Sequence, residues 1–180
     1  GALIQADEDV DLVIPRGGEG LIRHITRNAT VPVIQHYKGV CHVFVEETAD
    51  MDMASDIAFN AKVQRPGVCN AMETLLVDEK VAPWFLPRIL SRYAEAGVVV
   101  RADVRARSIW SQAEPATEAD WDEEYLDLTV AVRVVSGVEE ALDHIARYGS
   151  GHTESIVTED SDVAARFLQE ATASCVMHNA

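Results

Sequence analysis

One of the three cysteines stands in a context suited to nucleophilic chemistry. Cys69 lies in the segment Gln64-Arg-Pro-Gly-Val-Cys-Asn-Ala-Met72, where a turn is predicted to enter a short helix. A helix N-terminus and the neighbouring Arg65 would both lower the pKa of this thiol and favour the reactive thiolate. Backbone amides at such a turn can also bind an oxyanion. The alternative is that Cys69 is a small core residue, as most free cysteines are.

The remaining cysteines and the histidines offer weaker signals. Cys41 and Cys175 lie in apolar segments and are predicted to be core residues. Three cysteines without CxxC spacing predict neither a disulfide framework nor a zinc site. No histidine pair has HExxH spacing, so no metal site is predicted. His152 follows Gly149-Ser-Gly151 and is a candidate loop ligand, the alternative being an exposed or capping histidine.

A glycine-rich turn is the second candidate for chemistry. Arg16-Gly-Gly-Glu-Gly20 separates a predicted strand, Asp11–Pro15, from a helix predicted from Leu21 to about Thr26. Glycines at this place allow backbone amides to approach a phosphate at the helix N-terminus. The alternative is a tight strand-to-helix turn, and no GxGxxG pattern is present.

Composition excludes several classes of partner. The 180 residues include 30 acidic and 15 basic side chains, for a formal charge of −15. Such a balance argues against nucleic acid and against an anionic membrane surface. No apolar run reaches the roughly 20 residues that span a bilayer, and the first ten residues lack signal-peptide features. A cytoplasmic protein with a hydrophobic core is therefore predicted.

Strand-like and helical segments alternate along the chain, which predicts an α/β fold with a mainly parallel sheet and helices on both faces. Thr48 is predicted to cap the second helix. The acidic group 120–124 is predicted to be a solvated loop, and one of its members could bind a ribose hydroxyl. The remaining predicted strands are Val31–Ile34, Val40–Val45, Glu73–Val77, Val98–Val100, Leu126–Val135, Ser155–Thr158 and Cys175–Met177. The remaining predicted helices are Met51–Lys62, Val81–Ala96, Val138–Tyr148 and Asp160–Glu170, with a loop over Ser111–Glu123.

Several short motifs follow one another along the chain: Asp11–Gly18, Val31–Ile34, Gly39–His42, Gln64–Pro66, Cys69-Asn70, Glu73–Val77 and Gly151–Glu154. Taken in order, they resemble those of γ-glutamyl phosphate reductase, also called glutamate-5-semialdehyde dehydrogenase, of the aldehyde dehydrogenase superfamily. The resemblance runs over essentially the whole chain and implies that the sequence is a slice of a longer protein. It further implies that residues 1–36 end a cofactor-binding domain and that residues 37–180 form a catalytic domain, incomplete at its C-terminus.

The resemblance implies a specific reaction. The family reduces γ-glutamyl phosphate with NADPH to glutamate-5-semialdehyde and phosphate, in proline biosynthesis. Cys69 would attack the acyl phosphate, and hydride would reduce the resulting thioester. Asn70 and the amide of Cys69 would stabilise the oxyanion. No metal is needed.

Further roles follow from the same resemblance. Four residues would contact the cofactor: Arg16, Gly17, Gly18 and Glu124. Arg65 and His152 would bind the phosphate or carboxylate of the substrate. A homo-oligomeric full-length protein, with glutamate 5-kinase as a possible partner, is also implied.

One departure from general aldehyde dehydrogenases favours a reductase. The stretch Gln35-His-Tyr-Lys-Gly39 has no carboxylate where those enzymes carry the glutamate that activates water. Without this base, the thioester should survive for hydride or phosphate. Two alternatives remain: a related dehydrogenase that forms a carboxylate or another acyl product, and a non-catalytic fragment that gives only subunit contacts. The chain alone is expected to be inactive.

Overall fold

The computed structural model describes residues 1–34 and 38–180, which divide into two units, Gly1–Lys38 and Gly39–Ala180. The predicted loss of a catalytic carboxylate within the segment 35–39 rests mainly on Gln35, His36 and Tyr37, which lie outside the described residues. The assignment of residues 1–36 to a cofactor-binding domain and of 37–180 to a catalytic domain stays a prediction.

The first unit contains a 3-10 helix, Ala2–Gln5, and helix α1, Glu19–Asn28. The strands predicted at Asp11–Pro15 and Val31–Ile34 are reduced to one parallel bridge, between Val13 and Val33. Pro32 and Pro15 have no backbone N–H to extend such a ladder, which explains the shortening.

The second unit is built on one seven-stranded sheet in which every pairing is parallel. The strand order is β4-β3-β5-β2-β1-β6-β7. Because all strands run the same way, all begin at one edge of the sheet, called here the amino edge, and all end at the opposite, carboxyl edge. The strands are β1 (Cys41–Val45), β2 (Met72–Asp78), β3 (Val99–Ala102), β4 (Glu114–Pro115), β5 (Thr129–Val135), β6 (Thr153–Val157) and β7 (Cys175–His178).

Helices cover both faces of this sheet, as predicted. Alternate residues of a strand point to opposite faces. Val43 and Val45 therefore pack in one core cluster with the second, third and fourth helices, while Phe44 packs in the other with the fifth and sixth. The helices are α2 (Met51–Val63), α3 (Ala82–Glu95), α4 (Val104–Ile109), α5 (Val138–Tyr148) and α6 (Ser161–Glu170).

Two local expectations are wrong, and one short helix was not predicted. Asp50, not Thr48, caps α2, because its carboxylate accepts a hydrogen bond from the amide of Met53 at 2.8 Å. Helix α4 was not predicted, since it is six residues long and apolar periodicity is hard to detect over so short a span. Cys175 is exposed rather than buried, because β7 pairs only with β6 among the described strands and lies at the end of the sheet.

Membrane insertion through a helix has no support among the described residues, since none of their helices combines the length and the apolar character needed to cross a bilayer.

Candidate active site

The backbone of Gly39, just before β1, packs directly on the backbone of Cys69, just before β2. A Cβ atom on Gly39 would lie 1.9 Å from the carbonyl oxygen of Cys69 and 2.9 Å from its Cα. No side chain fits there, because real Cβ contacts do not come below 3.0 Å. Glycine at position 39 is therefore a condition for this placement of Cys69.

The Cys69 loop, defined as residues 64–71, carries an exposed thiol. The short helix predicted to follow Pro66-Gly67 is absent: amides donate only to the third preceding residue, from Val68 to Arg65 at 3.4 Å and from Ala71 to Val68 at 3.0 Å. Strand β2 begins at Met72 and leaves no room for a helix. The thiol is accessible, but the predicted helix N-terminus does not contribute to its reactivity.

Glu124 reaches the same place from the loop before β5. Its Oε1 accepts a hydrogen bond from the amide of Gly39 at 2.7 Å, and the residue is half-buried. Two residues on, Leu126 adopts a positive φ of 57°, and its carbonyl oxygen would lie 3.6 Å from a Cβ on Gly67. The loop 124–126 thus lies against both Gly39 and the Cys69 loop.

His152, before β6, joins this group through Cys41. The Sγ of Cys41 donates to the carbonyl oxygen of Cys69 at 3.3 Å and lies 3.9 Å from Nδ1 of His152. Burial, with the nearby charge of Glu154, raises the pKa of Cys41 to about 12. Cys41 therefore stays a protonated donor, as expected of a core cysteine, whereas Cys69 is exposed.

A cavity of about 410 Å³ opens beside these residues. Asn70 and Cys41 line it, while Arg65 lies exposed in the Cys69 loop. Small polar groups from α2 and the strands supply hydrogen-bonding capacity at its wall, and Met72 and Met177 supply apolar surface. The further polar lining residues are His42, Asp56, Asn60, Thr153 and Ser155.

Two fully buried pairs at the amino edge were not singled out from the sequence as functional. Nζ of Lys62 lies 2.7 Å from Oε2 of Glu73, with neither side chain exposed. Nδ1 of His42 lies 2.8 Å from Oε2 of Glu154, which also accepts from the His42 amide at 3.0 Å. Burial raises the pKa of Glu73, and the Lys62 ammonium opposes that rise. Glu73 and Glu154 stand in the motifs that carry the family resemblance, which is the signal that could have found them.

The acidic group 120–124 is only partly the solvated loop that was predicted. Asp120 is buried and accepts hydrogen bonds from Arg101 at 2.6 Å and from the Thr117 amide at 2.7 Å. Burial alone would raise the pKa of Asp120, but these bonds, with those from the hydroxyls of Thr117 and Tyr125, lower it to about 2. Asp120 is thus a structural anion, and Glu124 is the member of the group that lies at the site.

Arg16, Gly17 and Gly18 lie in the first unit and form an exposed turn at the start of α1. Gly17 has a φ of 148°, which favours glycine, and Gly18 is the N-cap, whose carbonyl accepts from the amide of Leu21. An exposed glycine turn at a helix N-terminus fits a phosphate of a dinucleotide cofactor. Within residues 1–34 and 38–180, no group of three or more histidine, cysteine or acidic side chains is placed to hold a metal ion.

Similar sequences and similar solved structures both include γ-glutamyl phosphate reductases. No protein-family model matches the chain. A γ-glutamyl phosphate reductase of Thermus thermophilus is 58% identical over 173 residues, which are 96% of this chain and 42% of that protein. The crystal structure of the γ-glutamyl phosphate reductase of Thermotoga maritima superposes with a TM-score of 0.95 at 49% identity, over 99% of this chain and 43% of that one.

The fold recurs more widely. An acetylating aldehyde dehydrogenase from Geobacillus thermoglucosidasius superposes with a TM-score of 0.75 at 20% identity, over 99% of this chain and 48% of that one. The chain thus spans less than half the length of the proteins it matches. In sequence and in fold, this chain is similar to a part of γ-glutamyl phosphate reductases, and its all-parallel α/β sheet has the fold seen in an aldehyde dehydrogenase.

Proposed function

We propose that this chain supplies the cysteine-bearing part of a reductase that converts γ-glutamyl phosphate to glutamate-5-semialdehyde and phosphate with NADPH. The observation that carries this proposal is the exposed Cys69 thiol on a loop whose backbone is fixed against Gly39. The identity of 49–58% to γ-glutamyl phosphate reductases supports the same assignment. Three free thiols are compatible with a cytoplasmic, reducing setting.

The residues of the Cys69 loop would do the covalent work. The Cys69 thiolate attacks the acyl carbon, phosphate leaves with the electron pair of the broken C–O bond, and a thioester forms. The amide of Cys69 and the side chain of Asn70 donate to the oxyanion during this attack. Arg65, exposed on the same loop, and His152 are proposed to hold the phosphate or carboxylate of the substrate.

NADPH, when bound, would supply the hydride that reduces the thioester carbonyl carbon, and the C–S bond then breaks with its electron pair leaving on Cys69, which releases the aldehyde and regenerates the thiolate. Arg16, Gly17 and Gly18 are proposed to hold its phosphates at the N-terminus of α1. Glu124 is proposed to meet the ribose next to the nicotinamide. One of its oxygens is already bound by the Gly39 amide, so the other is the acceptor available for a hydroxyl. Glutamate 5-kinase as a partner and a homo-oligomeric whole protein also remain proposals.

The test uses the whole protein and runs the reaction backwards. NADP⁺ reduction by glutamate-5-semialdehyde is followed with and without inorganic phosphate. We expect phosphate-dependent reduction that is lost in Cys69→Ser by about three orders of magnitude or more, because a serine hydroxyl is a far weaker nucleophile at neutral pH.

Cys175→Ser is the matched control, since Cys175 is also an exposed thiol, and it should retain full activity. Reduction that ignores phosphate would mean that water resolves the thioester, and the carboxylate-forming alternative would replace the proposal. Full activity in Cys69→Ser would exclude this residue as the nucleophile.

A further inference from the structure

The fully buried Lys62–Glu73 pair closes the base of the Cys69 loop. Lys62 is the next-to-last residue of α2, and Glu73 is the second residue of β2. Their side chains meet at 2.7 Å with no exposed surface on either one. The eight residues between the end of α2 and the start of β2 form the Cys69 loop itself, so the pair joins its two ends.

Stability is a poor explanation for this pair. Removing two charges from water costs free energy that their attraction often fails to recover, and apolar replacements of similar volume are often neutral or stabilising. Oε1 of Glu73 adds to the cost, because it is buried and no hydrogen bond of normal geometry reaches it from the described residues. What a buried ion pair does supply is a single preferred geometry, since either charge is strongly disfavoured away from its partner.

The pair also faces the second loop of the site. The amides of Leu126 and Tyr125 favour the charged form of Glu73, and the ring of Tyr125 has its centroid 6.0 Å from the Lys62 ammonium. The residue before Tyr125 is Glu124, which binds the Gly39 amide. Gly39 in turn packs on the backbone of Cys69. The pair is therefore connected to the nucleophile twice, through the base of its own loop and through residues 124–126.

We infer that the Lys62–Glu73 pair is a positioning element, which fixes the Cys69 loop against the loop 124–126 so that the thiol is presented in one geometry. The catalytic consequence of this inference rests on the proposed function, whereas the ordering of the loop does not. Neither residue contacts the reacting atoms, so their effect acts through the position of Cys69.

Amide hydrogen exchange and kinetics of the whole protein test the inference. The double variant Lys62→Met/Glu73→Leu removes both charges at similar volume. We expect amides of residues 64–71 to exchange about tenfold faster or more while those of β5 stay unchanged. A displaced nucleophile costs reaction rate rather than affinity, so kcat should fall by about 100-fold with KM unchanged. Lys80→Met is the matched control, because Lys80 pairs with Glu47 at 2.6 Å on the surface, and it should leave both readouts unchanged.

Three outcomes overturn the inference: wild-type exchange of the loop in the folded double variant, equal acceleration across the whole sheet, or an unchanged kcat in an active enzyme. If the double variant does not fold, Glu73→Gln decides by the same criteria. Failure of both to fold would show that the pair serves stability instead. Absence of reductase activity in the wild-type protein would refute the proposed function. The hydrogen-exchange result alone would then decide whether the pair orders the Cys69 loop.

Discussion

At the carboxyl edge of the sheet, the buried Glu46 is surrounded by donors, whereas several buried polar atoms near the amino edge have no hydrogen-bond partner among the described residues. Oε2 of Glu46 accepts from the Thr48 amide at 2.8 Å and from the hydroxyls of Thr48 and Thr158 at 2.7 and 2.8 Å. Near the amino edge, five buried side-chain atoms have no hydrogen-bond partner within the described part of the chain. These are His42 Nε2, Glu73 Oε1, Thr74 Oγ1, His144 Nε2 and Glu154 Oε1.

This difference between the two edges is informative, because the sheet topology alone would place a ligand site at the carboxyl edge. Open parallel sheets bind ligands beyond the carboxyl ends of adjacent strands whose connections diverge. That point lies between β1 and β6, since the chain leaves β1 toward β2 and leaves β6 toward β7 in the opposite direction. The hydrogen-bond network of Glu46, Thr48 and Thr158 occupies the point between the carboxyl ends of β1 and β6. The exposed thiol, the adjoining cavity and the unpaired polar atoms all lie toward the amino edge, where unmet hydrogen-bonding capacity is compatible with function.

The largest effect is expected where two backbones touch at the amino edge. Gly39→Ala would drive a Cβ into the backbone of Cys69, so we expect a loss of about 3 kcal/mol in unfolding free energy and a displaced Cys69 loop. Thermal unfolding of the whole protein measures this. Gly20→Ala is the control, because no atom of the described residues lies within 4 Å of its added Cβ and alanine favours a helix. Equal melting temperatures for the two variants would refute the close approach.

A smaller, pH-dependent effect is expected at Asp120, which lies in the 3-10 helix Glu118–Asp122 before β5 and accepts several hydrogen bonds. Its folded pKa of about 2 lies below the unfolded value of about 3.8. The shift therefore stabilises the fold above pH 3.8 and is lost as pH falls toward 2, for a total of about 2 kcal/mol.

Urea unfolding at pH 5 and pH 3 checks this sign. The advantage of wild type over Asp120→Asn should shrink by about 1 kcal/mol between the two values, about half of the total. A constant difference would mean that Asp120 titrates normally in the folded state. Asp162→Asn, at an exposed position in the first turn of α6, provides the comparison.

The same substitution at the two edges should give effects of opposite sign. Thr158 and Thr74 are both fully buried. Thr158→Val removes a donor from Glu46 and should cost about 1 to 2 kcal/mol. Thr74→Val removes a hydroxyl that has no hydrogen-bond partner among residues 1–34 and 38–180, so it should be neutral or stabilising by about 1 kcal/mol. Unfolding free energies of the two variants measure the contrast, and equal losses would contradict the difference between the edges.

Much of the fold was predictable because its signals are local. Strand β1 and helix α5 were predicted to within one residue, since apolar runs and 3.6-residue periodicity report on burial directly. The α/β class followed from the alternation of such segments. The environment of Cys69 was predicted less well. The sequence of its loop predicts the start of a helix, although Pro-Gly is compatible with several types of turn. Only the entry of the chain into β2 selects among these turns.

The sequence by itself determined the α/β class, and it predicted Cys69 as the candidate nucleophile through the resemblance its neighbours carry. Only the tertiary structure decided which residues surround that thiol. Gly39, Cys41 and Glu124 come from segments distant in sequence, and their contacts depend on parallel strands starting at a common edge. Whether a polar atom is satisfied or left unpaired depends on those same contacts, because local sequence does not encode burial against a partner more than a hundred residues away.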